Sequence, residues 1–191
     1  GSAANLKDAL AGSFTSAHDG TAKVTGSYTV SQLKAINAGT GGTINLADRS
    51  IALTGSAADT ALALAGNFTG GQTHTGVVTI SDDGTTVNAT DITAIETAKG
   101  SGNINITNGV ALSGTGAKLK SAAEALDTIH ATTTATVTDT SYNVAQLKAI
   151  NDKVGGAITL STTGVNLTGS AANLKDALAG SFTSAHDGTA K

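Results

Sequence analysis

Four histidines recur every 56 residues, at His18, His74, His130 and His186. Imidazole is a common metal ligand, so a regular ladder of histidines could hold a row of ions. The spacing argues against that chemistry. If four strands separate successive histidines, the rings stand ~19 Å apart, too far to share one ion. No other histidine, cysteine or carboxylate accompanies all four. Asp19 and Asp187 follow two of them, while Thr75 and Ala131 follow the others. The four are therefore read as solvent-exposed loop residues, and no metal site is assigned.

Three other groupings invite chemistry. Ser16, His18 and Asp19 contain the residue types of a hydrolase triad. Such triads are defined by converging geometry, which neighbours on one loop rarely supply, and the G-x-S-x-G context is missing. Asp82-Asp83-Gly84 is an acidic turn, comparable to the turns at Asp48 and Asp139. Calcium requires six to eight oxygens, and neither an EF-hand loop nor a glycine-rich nonapeptide is present, so these read as turn chemistry. Threonines at 132–134, 136, 138 and 140 do not repeat in register as an ice-binding ladder would. The N-x-[ST] sequences at Asn67, Asn88, Asn105 and Asn166 are expected by chance in a chain this rich in Asn and Thr. No catalytic, cofactor-binding or metal residue is assigned, and no enzyme activity is expected.

Composition narrows the classes further. Hydrophobic residues are 39% of the 191, but aromatics only 3%, so the core must be built from Ala, Val, Ile and Leu. The net charge of −3 includes no basic stripe to track phosphates, which disfavours nucleic acid as a partner. No apolar run approaches the ~18 residues of a membrane span. Cysteine is absent, so there is no disulfide framework and no thiolate cluster.

The elements that would position any site are set by repetition. Residues Gly1–Lys23 return letter for letter at Gly169–Lys191, an offset of 168. This reads as a window on a longer tandem array, a single continuous stretch over 1–191. Shorter echoes lie inside it. LTGSAA at Leu53 returns as LSGTGA at Leu112 and LTGSAA at Leu167, and TVSQLKAIN at Thr29 returns as NVAQLKAIN at Asn143. Three units thus average 56 residues, and each divides into two modules of roughly 28, in the size range of solenoid repeats.

Each module reads as strand, turn, strand, helix, so the expected fold is an α/β solenoid of ββα modules. Helices are expected at Ser2–Ala11, around Leu33 and Ile36, at Ser56–Ala65, around Ile92 and Ile95, at Lys118–Ile129, around Leu147 and Ile150, and after Gly169. Strand pairs are expected at Ala22–Thr25 with Tyr28–Val30, Thr43–Leu46 with Ser50–Leu53, and Val77–Ile80 with Thr85–Asn88. Further pairs are Asn103–Ile106 with Val110–Leu112, Ala135–Thr138 with Tyr142–Val144, and Ala157–Leu160 with Gly164–Leu167. Leu6, Leu33, Ile44, Ile104, Leu147 and Leu174 are the expected core. If both strands of a module join one sheet, two strands span ~9.6 Å, which matches the spacing of packed helices.

The phrases GSAANLKDALAG, YTVSQLKAIN and TINLADRSIALTG resemble the repeat regions of very long secreted or surface proteins of bacteria, the giant adhesins and surface-layer-like proteins of cyanobacteria and proteobacteria. That resemblance implies export to the cell exterior and a spacer, adhesive or coat role. The expected partners are neighbouring repeats, head to tail, and a cell-surface or glycan contact. A calcium- or glycan-binding module using the repeated loops is the alternative. Calorimetry with and without calcium separates the two.

Overall fold

The computed structural model describes all residues 1–191 and is an α/β fold with parallel sheets. In chain order its elements are α1 (Ala3–Leu10), β1 (Ala22–Val24), α2 (Val30–Gly39), β2 (Ile44–Leu46), β3 (Leu53–Gly55), α3 (Ala57–Leu64), β4 (Val78–Ile80) and β5 (Thr86–Asn88). There follow α4 (Ala89–Ala98), β6 (Ile104–Ile106), β7 (Ala111–Gly114), α5 (Gly116–Ala125), β8 (Thr134–Val137), α6 (Val144–Lys153), β9 (Ile158–Leu160) and α7 (Ala171–Leu178). No helix is long and apolar enough to cross a membrane.

The helices begin where short polar side chains can satisfy free backbone N–H groups. Ser2, Ser56, Thr115 and Ser170 each accept from the amide three residues on. Thr29 and Asn143 go further. Each accepts from the amide of Gln32 or Gln146, whose side chain accepts in return from the cap amide. This reciprocal pair is a capping box. Thr29→Ala is expected to destabilise the fold by about 1 kcal/mol, measured as a shift in the urea midpoint at constant slope.

Strand pairing departs from the sequence expectation. The two strands of an expected pair do not bond to each other. β4 and β5 belong to different sheets, as do β2 and β3. Each strand instead pairs in parallel with one from the next repeat: Ala22 lies opposite Ile44, Leu53 opposite Val78, and Thr86 opposite Ala111. The turn residues between the strands of an expected pair therefore do not close a hairpin. Three expected strands are also absent. Tyr28–Val30 and Tyr142–Val144 hold the helix caps, with Val30 and Val144 already in the first helical turn. In Gly164–Leu167 only Leu167 forms a bridge, to Ala190. Capping wins because it satisfies the amide protons that a helix start would otherwise leave unpaired.

The parallel register is shorter than the helix repeat. α1, α2 and α3 start 27 residues apart, whereas Gly55 lies against Val30, 25 residues back. The helices keep the same offset, with Lys34 Nζ 2.5 Å from Asp59 Oδ1 and Asn37 Nδ2 donating to Leu62 O at 2.9 Å. A two-residue slip along a strand adds ~6.6 Å to the ~4.8 Å between strands, a net displacement of ~8 Å.

The chain divides into two compact units, with the division falling inside α4 and β6. The first comprises residues 1–81 and 94–104. It holds the β1–β2 pair and the β3–β4 pair, which the chain extends at Asn103, whose carbonyl accepts from Val78 N at 2.8 Å. Its core is Val24, Leu33, Ile36, Ile44, Leu53, Val78, Ile80, Ile95 and Ile104. The second comprises 82–93 and 105–191 and holds the sheet β5-β7-β8-β9. Here the drift is plain: the strands end one, two, seven and eleven residues before the helix that follows, and Phe182, beyond α7, bridges to Ile158 of β9. Its core includes Val87, Ile92, Leu112, Leu119, Val137, Leu147, Ile150 and Ile158.

Two expected core residues are only half-buried. Leu6 and Leu174 occupy the same position in identical helices. The fully buried residues there are the smaller Ala3 in α1 and Ala177 in α7. Each of these helices packs closely against one neighbour, α2 or α6.

Candidate functional site: two tyrosine–histidine corners

The four histidines do not share one environment. His18 and His130 are exposed, as expected, and His186 is half-buried. His74 is 1% exposed, which overturns its reading as a surface loop residue. Its cover is Tyr28, the buried residue just before the cap of α2. The tyrosine ring meets the imidazole edge to face, with centroids 6.4 Å apart and planes at 72°.

The hydrogen bonds at this corner fix the tautomer. Tyr28 has one hydroxyl proton, which it donates to Asp48 O at 3.0 Å. Its oxygen lies 3.4 Å from His74 Nδ1, so Nδ1 carries the imidazole proton and donates. Nε2 is then a bare lone pair, and it has no partner. On the other flank His74 bridges to Lys99, whose buried Nζ donates to Gly102 O and stands 3.9 Å from Glu96. Burial pushes His74 down to about 4, and the Lys99 charge adds to this while Asp48 opposes it. Burial also pushes the Tyr28 hydroxyl up to about 12, with Asp48 contributing. Ser50 donates to Asp48 Oδ1 from its hydroxyl and its amide, which holds that carboxyl below its usual range.

The second unit repeats the corner. Tyr142, also buried and also preceding a cap, donates to Thr162 O at 2.6 Å. In both corners the accepting carbonyl stands 20 residues after the tyrosine. His186 lies edge to face with Tyr142, centroids again 6.4 Å apart, and its Nε2 donates to Val165 O at 2.7 Å. Burial raises the Tyr142 hydroxyl, and Asp187 and Asp139 contribute. His130 has no tyrosine partner. Its Nδ1 meets Thr132 Oγ1 at 2.9 Å instead.

The corner ties three successive passes of the chain together, so its chemistry is that of a clamp. Tyr28→Phe keeps the ring contact and removes the bonds to Asp48 and His74. It is expected to lower stability by about 1–2 kcal/mol in chemical denaturation, more than a surface substitution does.

The other sequence candidates remain dispersed. Ser16, His18 and Asp19 are exposed, and no hydrogen bond joins them. Asp83 is exposed, Asp48 is held by Ser50, and Asp139 accepts from Gly116 N at 3.0 Å. No group of three His, Cys, Asp or Glu side chains converges where an ion could sit. An open groove of about 520 Å³ runs along α5, α6 and α7 in the second unit, edged by Lys120, Glu124, Lys148 and Asp152. Those charges already pair with one another, Lys120 with Glu124 at 2.6 Å and Lys148 with Asp152 at 2.9 Å. Sequence reasoning missed the buried corners, although the signal was present: the chain's only two tyrosines stand at matching places in its repeats. Comparison with protein families, characterised proteins and solved structures returned no match.

Proposed function

We propose that this chain is a stretch of a non-enzymatic structural array, a solenoid of βα repeats serving as spacer or adhesive coat outside the cell. The observation that supports this reading most is the pairing rule. Strands join in parallel one repeat on, with registers of 22 to 25 residues. Such a rule can extend without limit and needs no unique centre. The polar clusters support it too, since their hydrogen bonds and ion pairs are spent on each other or on the backbone. The resemblance to bacterial surface repeats adds the extracellular setting.

Chains carrying one, two and three copies of the 168-residue repeat test the architecture by small-angle X-ray scattering. A solenoid lengthens in proportion to copy number. A radius of gyration rising only as about the 0.38 power of chain length, as for a globule, would overturn it. Antibody labelling of intact cells tests the location, and signal appearing only after lysis would count against it.

A further inference from the structure

The first tyrosine–histidine corner is fed by an irregular stretch of chain. Five residues separate Phe68 from His74, whereas three separate Phe14 from His18 and Phe182 from His186. The extra length is taken up in a single 3-10 turn, Thr69–Gly71, where Gly70 and Gly71 adopt left-handed backbone at φ of 65° and 69°. That turn is closed by its own bonds, Gly71 N to Phe68 O at 3.3 Å and Gln72 N to Thr69 O at 3.2 Å. Gln72 Oε1 meets Leu46 N only at 3.4 Å. The anchor is His74. Its ring is 1% exposed against Tyr28, its carbonyl accepts from Gly100 N at 2.8 Å, and Thr75 N just behind it donates to Arg49 O at 2.8 Å.

Two polar atoms of this segment are buried without a partner, Thr69 Oγ1 and His74 Nε2. Nε2 is where a second proton would go, because Nδ1 already donates to Tyr28. The groups around the ring do not welcome that proton. Lys99, just past α4, is a buried cation whose Nζ donates to Gly102 O, and its carboxylate neighbour Glu96 is half exposed at 3.9 Å. Asp48, between β2 and β3, spends Oδ1 on Ser50. Tyr28, ahead of α2, meets the ring only at Nδ1. A protonated His74 in this seat would be one buried cation beside another, with an N–H left unpaired, a costly state for any side chain. The second corner lacks the conflict. His186 Nε2 already meets Val165 O at 2.7 Å, so a protonated ring there keeps its acceptor.

We infer that residues 69–75 are an acid-released latch: protonation of His74 drives its ring off Tyr28, and the segment swings outward on Gly70, Gly71 and Gly76 while β3 and β4 stay paired. The glycines supply the backbone freedom the movement needs. Opening brings water to Thr69 Oγ1 and His74 Nε2, which offsets part of the cost of the bonds it breaks. Those bonds are few: Thr75 N to Arg49 O, Gly100 N to His74 O, and the contacts of the ring with Tyr28. The open state presents Tyr28 and the Arg49 carbonyl to solvent. All the groups involved belong to the first unit, so the latch holds or fails independently of the array and of any extracellular role.

Amide exchange on the full chain tests this between pH 6.5 and pH 4, at several urea concentrations below the unfolding transition. Each rate is divided by that of an unstructured chain at the same pH. Protection over 69–75 should fall about tenfold per pH unit across this interval, because the open segment binds one proton that the closed one lacks. It should not depend on urea, since a local opening exposes little surface. The amides of Val24, Ile44 and Val78 should exchange far more slowly and speed up with urea. His74→Gln should abolish the pH slope over 69–75. A parent chain whose protection there is flat with pH would overturn the latch. Exchange over 69–75 that rises with urea in step with Val24 and Ile44 would also overturn it, by showing that the ring titrates only when the whole unit unfolds. So would an imidazole that gains its second proton by NMR while 69–75 stay protected, which would mean that internal water serves Nε2 in place. The parent chain alone decides among these outcomes, so the test stands even if His74→Gln fails to fold.

Discussion

Gly76→Val is expected to destabilise the first unit by about 3 kcal/mol or more, the upper end of what overpacking costs. The reason is space rather than backbone conformation. A Cβ at Gly76 would lie 2.4 Å from Ile51 O and 2.6 Å from Ser50 O. Those atoms cannot retreat like a side-chain tip, because Thr75 N and Gly76 N both donate to Arg49 O, at 2.8 and 3.1 Å, and lock the two segments together. The same close approach recurs at Gly42 against Gly20 O and at Gly188 against Val165 O, at 2.1 and 2.2 Å. Each of these glycines stands one ladder step from the carbonyl it would strike. A control is Gly164→Ala, whose Cβ would meet nothing closer than Asp187 Oδ1 at 3.6 Å. It should stay within about 0.5 kcal/mol of the parent. Urea denaturation measures both, and a loss under 1 kcal/mol for Gly76→Val, roughly a third of the expectation, would show that the segments can part at little cost.

Acid should act on the first unit through His74. Its folded value is about 4, against an ordinary value of 6.5. Between these values the unfolded chain carries a proton that the folded chain lacks, so falling pH favours unfolding. The stability held above pH 6.5 is lost progressively down to pH 4, where the loss levels off. Its size is about 3 kcal/mol for this one group. The groups facing the ring fix the sign: Tyr28 buries it and is neutral across this range, Lys99 repels the imidazolium, and the exposed Asp48 only partly offsets this. His74→Gln, which cannot titrate, should flatten the pH dependence over this interval even if its plateau stability is lower. A wild-type midpoint in urea that does not move between pH 7 and pH 4 would refute the buried neutral imidazole.

The helices were legible because their information is local. Ser2, Ser56 and Ser170 cap where sequence places them, and Leu33 with Ile36, or Leu147 with Ile150, mark the buried stripe. Sheet partners were not legible, because pairing joins residues more than 20 positions apart while turn residues such as Asn108-Gly109 speak only for their neighbours. Tyr28-Thr29-Val30 shows the conflict in one triplet. Its residue types favour a strand, yet Gln32 three residues after Thr29 completes a capping box, and that signal decided the outcome. At the histidines, equal spacing concealed unequal surroundings. His74 and His130 stand at matching positions, but only His74 has a tyrosine packed against it.

The slip of the strand ladder against the helix repeat bears on how near-identical units survive in tandem. Repeated sequences risk misfolding across neighbours, and identical segments stacked in register are the arrangement of amyloid. Here corresponding residues of successive repeats are not ladder partners. Leu112, the counterpart of Leu53 and Leu167, pairs with Val87 on one side and Ala135 on the other. Every rung of that ladder joins unlike positions of the repeat, so a strand that adopted the in-register alignment would trade its native neighbours for copies of itself. The offset thereby gives the native alignment a chemical identity distinct from the amyloid one, in a chain whose composition alone would hardly tell them apart.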